Sequence, residues 1–282
     1  MFIDSEYTRA PEQDVQFETS RPVSLRSPSM TKRDALVRSV PSTFDQALVR
    51  ERRSRLSPQI AREQHRNYQR QLEIAGYLVE EVPTDERCPD CVFIEDTAVV
   101  IESVALITRP GARSRRRETG PVAAALQAHM TTIAVAEPGT IDGGDVFRSG
   151  RTIYVGRSRR TNAEGIEQLR KVATAQGLIV VTVGVYDTLH LKSAVLPVAE
   201  DTVVVTPNSV EEEQLDFRIV YEADYERYRF SALPLRNGKL LVTANSPQTT
   251  ATLESMGYDL VPIDISELQA ADGGLTCLSI LF

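Results

Sequence analysis

The chain predicts an α/β fold on three observations. Short apolar runs rich in β-branched residues recur along most of its length. Segments with helix caps and glycine stops fall between several of them. The two kinds alternate rather than separating into halves, which is how strands packed against intervening helices look in sequence.

Taken in order, residues 1–31 are poor in apolar side chains and rich in Ser, Pro, Glu and Arg, and read as a disordered tail; residues 32–282 read as one domain. Ser57 followed by Pro58 supplies a cap and a first-turn proline, and Gly76 a stop, so a helix is predicted over 58–75. "YLVEEV" (77–82), "TAVVI" (97–101) and "ALITR" (105–109) read as strands. A second helix is expected within 114–130, where Gly120-Pro121 either interrupts it or starts it. "TTIAVA" (131–136) and "TIYVG" (152–156) are strands, and "NAEGIEQLRKVATAQG" (162–177) is a helix running from an asparagine cap to a glycine. "LIVVTV" (178–183), "TVVVT" (202–206) and "KLLVTA" (239–244) are strands. "PQTTATLESMG" (247–257) is a short helix, followed by "YDLVPI" (258–263) and the terminal "LTCLSILF" (275–282). No repeat of fixed period can be read.

Composition bounds the function. At 282 residues, with 41% hydrophobic and 25% charged side chains, the chain can bury a sizeable core. A net charge of −7 favours neither nucleic acid nor an acidic membrane surface. The local basic runs "RERRSR" (50–55) and "RSRRR" (113–117) read as solvated helix faces. No stretch approaches the roughly 20 apolar residues of a membrane span. The first residues carry no basic-then-apolar leader, and three cysteines without one imply a reducing compartment and no disulfide framework. A cytoplasmic protein is expected. Neither a G-x-G-x-x-G nor a P-loop is present, so no nucleotide is implied.

Four motifs carry possible chemistry. In "RCPDCVFIED" (87–96), Cys88 and Cys91 could be a redox dithiol or half a zinc site. The dithiol reading lacks a following helix, because "VFI" reads as a strand, and the zinc reading lacks a second ligand pair. Buried small hydrophobes are the plainer alternative. Asp90 and Asp96 would be about 20 Å apart in a regular strand, so they share a ligand only if the chain turns between them. "TIDGGDV" (140–146) is a tight turn presenting Asp142 and Asp145, and taken alone is ordinary turn chemistry. His190 in "TLHLKS" and Cys277 in "DGGLTC" each read alone as core residues. Together with a dispersed acid they also form a candidate Cys-His-acid set.

The segments "DCVFIED" (90–96), "ALITRPGA" (105–112), "DGGDV" (142–146), "RRTN" (159–162), "LHLKS" (189–193) and "DGGLTC" (272–277) occur in the order and at the separations of the dimethylarginine dimethylaminohydrolase family. The sequence resembles that family over roughly residues 36–282. The resemblance implies a five-bladed α/β propeller of ββαβ units, the pentein fold, and a cofactor-independent hydrolase of N-methylated arginines acting as a monomer or homodimer. It implies Cys277 as nucleophile, His190 as acid–base residue and Asp142 as the acid orienting it. Asp90, Glu95 and Asp96 would contact the guanidinium, and Phe93 the substrate's stem or methyl groups. Arg109 and Arg160 would clamp the α-carboxylate. Ala271 and a lid residue, Val49 or Leu48, would hold the α-amino group through the backbone. Zinc bridging Cys277 and His190 could inhibit. An arginine deiminase or a non-catalytic binder of arginine derivatives are the alternatives. Deiminases of the superfamily carry an inserted helical domain for which this chain has no room.

Overall fold

The computed structural model describes residues 34–50, 55–223 and 229–282. The tail assigned to 1–31 and most of the basic run at 50–55 lie outside them. The chain opens with β1 (Asp34–Arg38), helix α1 (Pro58–Ile74) and β2 (Leu78–Val82). Next come β3 (Ala98–Ile101), β4 (Val104–Ile107), α2 (Thr119–Leu126) and β5 (Thr131–Ala134), then β6 (Val146–Ser149), β7 (Thr152–Arg157), α3 (Ala163–Ala175) and β8 (Ile179–Gly184). β9 (Val195–Pro197), β10 (Thr202–Val205) and β11 (Arg218–Tyr221) follow. The last group is β12 (Ala232–Pro234), β13 (Leu240–Thr243), α4 (Pro247–Ser255), β14 (Leu260–Ile263), α5 (Ser266–Gln269) and β15 (Ser279–Leu281).

These strands form five three-stranded sheets, β3-β4-β5, β6-β7-β8, β9-β10-β11, β12-β13-β14 and β15-β1-β2. In each, the first two strands run antiparallel and the third joins parallel to the second. A parallel partner needs a crossover, which a helix supplies in four blades. The β9-β10-β11 blade uses an irregular connection with a single turn at Glu212–Gln214 instead. This is the five-bladed ββαβ propeller the resemblance implied. The fifth sheet joins strands from opposite ends of the described chain: Leu36 pairs with Ile280, and Asp34 and Phe282 exchange backbone hydrogen bonds of 2.8 and 3.0 Å.

Local chemistry accounts for the helix ends. Ser57 accepts a hydrogen bond from the Ile60 amide, Pro58 opens α1, and Gly76 follows at φ +88°, a left-handed conformation that suits glycine. Asn162 caps α3 by accepting from the Gly165 amide. The helix expected within 114–130 forms in two parts, a 3-10 stretch at Arg113–Glu118 and then α2. Pro121 falls in the first turn of α2, where its missing amide costs no hydrogen bond. The strand read at "VFI" does not form. Residues 88–93 are turns, and a 3-10 helix at Ile94–Thr97 leads into β3.

Apolar clusters fill the spaces between helices and sheets; the largest packs α1 residues Ala61, Tyr68 and Leu72 against Leu241, Ile263 and Leu268. His65 lies within this helix face, buried, with no hydrogen-bond partner for Nε2. Burial penalises its imidazolium and lowers its pKa to about 4, against a smaller opposing pull from Glu81. The unfolded chain therefore binds a proton that the fold excludes, and stability falls as pH drops from about 6.5 towards 4. His65→Gln should flatten this limb by up to about 1.4 kcal/mol per pH unit, read as the difference between the two denaturation-versus-pH curves.

Candidate active site

Four blades are entered through a single 3-10 turn. Ile94–Thr97 precedes β3, Gly143–Asp145 precedes β6, Leu191–Ser193 precedes β9 and Thr276–Leu278 precedes β15. The first, second and fourth of these pack together, and the third packs on the second. Glu95 and Asp96 lie in the first turn, Asp142 immediately before the second, His190 immediately before the third, and Cys277 in the fourth. Residues dispersed through the sequence thus meet because blades of one topology deliver their entry turns to one end of the propeller.

His190 is buried and its Nε2 lies 2.9 Å from Asp142 Oδ2 and 3.8 Å from Asp96 Oδ1. Asp142 is fixed in turn, its Oδ1 accepting from the Gly111 amide at 2.8 Å. Burial opposes the charged imidazolium, but Asp96, the hydrogen bond to Asp142, and the charges of Asp145 and Asp142 outweigh it and raise the His190 pKa to about 9. Gly144 makes this approach possible. A β-carbon there would stand 2.6 Å from His190 Nδ1 and 2.8 Å from Asp96 Oδ1, so no other residue fits without displacing one of them. Asp145, also buried, accepts from Ser158, Thr161 and the Leu191 amide, and so anchors the residue after His190. Burial raises its pKa to about 6.

Cys277 is half-buried, and its sulfur accepts from the Gly274 amide at 3.4 Å. Burial pushes its thiol up to about 12, and the carboxylates of Glu95 and Asp96 add to the effect. Cys277 is therefore held as a thiol and His190 as an imidazolium. An arriving cation would reverse the field that keeps the thiol protonated.

The chain does turn between Asp90 and Asp96. The Cys91 amide bonds to the Cys88 carbonyl and the Phe93 amide to the Asp90 carbonyl. Cys88 and Cys91 are buried with raised thiol pKa values, burial being the chief cause. Asp90 accepts from the Leu48 amide at 2.9 Å. Asp96 accepts from the Gly144 amide at 2.9 Å, and its other oxygen is ion-paired with Arg115. Glu95 is ion-paired through one oxygen with Lys192, while the other, Oε2, is buried without a hydrogen-bond partner. Phe93 is buried, tilted against Phe44 at 6.2 Å.

A cavity of about 400 Å³ is lined by Cys277, Thr276, His190, Gly144, Lys192, and the loop residues Ala270, Asp272, Gly273 and Gly274. A second, of about 330 Å³, is lined by Leu48, Val49, Arg159, Arg160 and Thr188. Arg50, Leu189 and Asp272 line both. The Arg160 guanidinium lies 3.8 Å from Asp142 Oδ2. Arg109 lines neither cavity; its guanidinium meets Glu137 at 2.8 Å and the Gly139 carbonyl at 3.3 Å. Ala271 is buried between two cavity-lining neighbours. Of the two lid candidates, Leu48 bonds to Asp90 through its amide, and Val49 lines the second cavity beside it. Among the described residues, the cluster able to offer a cation three ligand atoms within 4.8 Å is Asp96, Asp142 and His190.

A model of the family "N,N dimethylarginine dimethylhydrolase, eukaryotic" matches residues 38–227. The chain belongs to the dimethylarginine dimethylaminohydrolase family. It is similar to the enzyme of that name from Streptomyces coelicolor, 42% identical over 77% of this chain and 84% of the relative. The Pseudomonas aeruginosa enzyme is 33% identical over 78% and 87%. In structure, the chain resembles a cysteine-to-serine variant of the P. aeruginosa enzyme complexed with citrulline, with a TM-score of 0.83, 30% identity, and coverage of 88% of this chain and 98% of the other. It resembles equally a histidine-to-glycine variant of a dimethylarginine dimethylaminohydrolase in adduct with S-methyl-L-thiocitrulline, with a TM-score of 0.83 and 29% identity, covering 89% and 100%. The N-terminal domain of the cyanobacterial arginine dihydrolase ArgZ shares the fold at 16% identity and a TM-score of 0.78.

Within this family frame, two expectations are corrected and one residue is added. The run at 113–117 is not wholly solvated: Arg115 is 5% exposed and pairs with Asp96 and Glu118. In a 3-10 helix of three residues per turn, Arg115 and Glu118 share a face, and that face docks behind the site. The R-x-x-E spacing was the available signal. The second correction is the turn in place of a strand after Cys91. The addition is Lys192, whose ammonium neutralises one oxygen of Glu95; it stood in the "LHLKS" motif without a role. Among the described residues, no helix is long and apolar enough to cross a membrane.

Proposed function

We propose that this chain hydrolyses asymmetric dimethylarginine and monomethylarginine to citrulline and dimethylamine or methylamine, through a covalent adduct on Cys277. The observation that carries it is the pair of adjoining cavities. One holds the nucleophile and imidazole, and the other holds Arg160, a polar end for an amino acid whose guanidinium reaches the first. The citrulline complex of the P. aeruginosa relative fits the same reading.

The guanidinium is held by Asp90, Glu95 and Asp96. Its charge lowers the thiol pKa, the thiol proton passes to solvent, and the thiolate of Cys277 attacks the central carbon, forming a C–S bond as the C=N π pair moves onto nitrogen. The C–N bond to the methylated nitrogen breaks as the His190 imidazolium gives that nitrogen its proton, and the amine leaves. His190, now neutral and aligned by Asp142, takes a proton from water as the water oxygen attacks the thiouronium carbon. The C–S bond then breaks as the hydroxyl proton passes to solvent, releasing citrulline and the thiolate. The chemistry is carried by side chains, and we assign no cofactor.

The test is citrulline formation from asymmetric dimethylarginine, monomethylarginine, arginine and agmatine. The methylated amino acids should turn over fastest. Faster turnover of unmethylated arginine, or none of any substrate, would overturn the reading. Arg160→Ala should lower kcat/KM for amino-acid substrates by about 30-fold or more, since a buried carboxylate loses its charged partner. Arg109→Ala should act in the same direction but less, because its guanidinium is shared with Glu137. Agmatine, which has no carboxylate, should be nearly indifferent to both, as steady-state kinetics on the four substrates would show.

A further inference from the structure

Arg115 stands behind the site and lines neither cavity, yet each of its three nitrogens is committed. Nε is shared between the Glu118 oxygens at 3.2 and 3.1 Å. Nη1 meets Asp96 Oδ2. Nη2 reaches the Phe93 carbonyl at 2.8 Å, the Asp90 carbonyl at 3.3 Å and Glu118 Oε2 at 2.7 Å. Three of these acceptors belong to the 90–96 turn, at both of its ends and its middle. Glu118, 1% exposed, is itself held through its carbonyl by the buried Arg38 at 3.3 Å.

The geometry demands a planar fork. A lysine offers its donors from a single nitrogen and cannot span two carbonyls and a carboxylate while also meeting Glu118. The charge matters as well. Asp90, Glu95, Asp96 and Glu118 crowd one region, and burial pushes the carboxyls of Asp90, Glu95 and Glu118 up towards neutrality. Arg115 is the strongest charge pulling Asp90 and Glu118 back. A carboxyl that takes up a proton no longer attracts a guanidinium.

We propose that Arg115, braced by Glu118, is a positioning residue for the reaction: it sets the 90–96 turn so that its carboxylates hold a substrate cation in line with Cys277. This rests on the guanidine-hydrolase reading above. The experiment compares alkylation of Cys277 in the full chain by chloroacetamidinium, a cation, and by chloroacetamide, its neutral near-isostere. Thermal unfolding and kcat/KM for asymmetric dimethylarginine are measured in parallel. In folded Arg115→Lys the cation-to-neutral rate ratio should fall by about tenfold or more, with the neutral rate within about twofold of wild type. The specificity constant should fall with the ratio. An unchanged ratio, or an equal change in both rates, would reduce Arg115 to a structural prop and overturn the proposal. Should Arg115→Lys not fold, Glu118→Gln decides. It keeps the arginine but loosens its Nε edge, so the ratio should drop by about threefold or more, and constancy overturns the idea. Were the wild type to form no citrulline, the functional reading would fail while the ratio still ruled on Arg115.

Discussion

Cys277→Ser should fold like the wild type and form citrulline at least about 10⁴-fold more slowly, because losing a covalent nucleophile removes the pathway rather than weakening it. Serine is nearly isosteric, and the Gly274 amide that donates to the sulfur can donate to a hydroxyl. A hydroxyl, however, is not brought within reach of ionisation by a substrate cation, whereas the thiol starts from about 12. Unfolding should shift by less than about 1 kcal/mol. Citrulline measurement and thermal unfolding on the same preparation check both parts. Residual activity within tenfold of wild type would exclude Cys277 as the attacking atom.

His190→Gly should stop turnover nearly as completely, with losses on the order of 10³-fold or more, yet leave the first chemical half intact for a substrate whose leaving group needs no proton. With S-methyl-L-thiocitrulline, methanethiolate departs unaided, and the adduct should accumulate on Cys277 because no base activates water. Intact-protein mass spectrometry would show it. Rapid release of citrulline, with no adduct, would mean that His190 is not the base. The same substitution leaves the buried carboxylates of Asp96 and Asp142 without their shared cation, so a lower melting temperature is expected.

The α/β class and most helix boundaries were legible because they rest on local rules. Ser57-Pro58 and Gly76 bracket α1, and Asn162 starts α3, wherever those segments sit in space. The fivefold repetition was not legible from residues. A blade is built from strands of three to six residues, and one blade replaces its helix with an irregular connection, so topology repeats while sequence does not. Resemblance supplied what periodicity could not. Cys277 and His190 each look like core residues alone, and they are half-buried and buried; only their convergence marks them. Asp90 and Asp96 seemed too far apart because a strand was read where the chain turns. Arg115 was lost among its neighbours, since five of the six residues at 113–118 are charged and docking selects the two, Arg115 and Glu118, that go inside.

The closing sheet has a consequence for the order of folding. Cys277 stands at the entry to β15, whose partner β1 comes from the other end of the described chain, and Tyr68 of α1 bonds to Ser279 at 2.7 Å across 211 residues. Such pairing carries the largest loop-closure entropy in the molecule and should form late. The blades that begin with β3, β6 and β9 can assemble the Asp96, Asp142 and His190 turns from contacts between successive segments. Cys277, the proposed nucleophile, joins them only when the ring shuts. Recovery of activity on refolding should therefore lag behind recovery of helix and sheet, and species halted before closure will hold a nearly complete site with nothing in it able to attack.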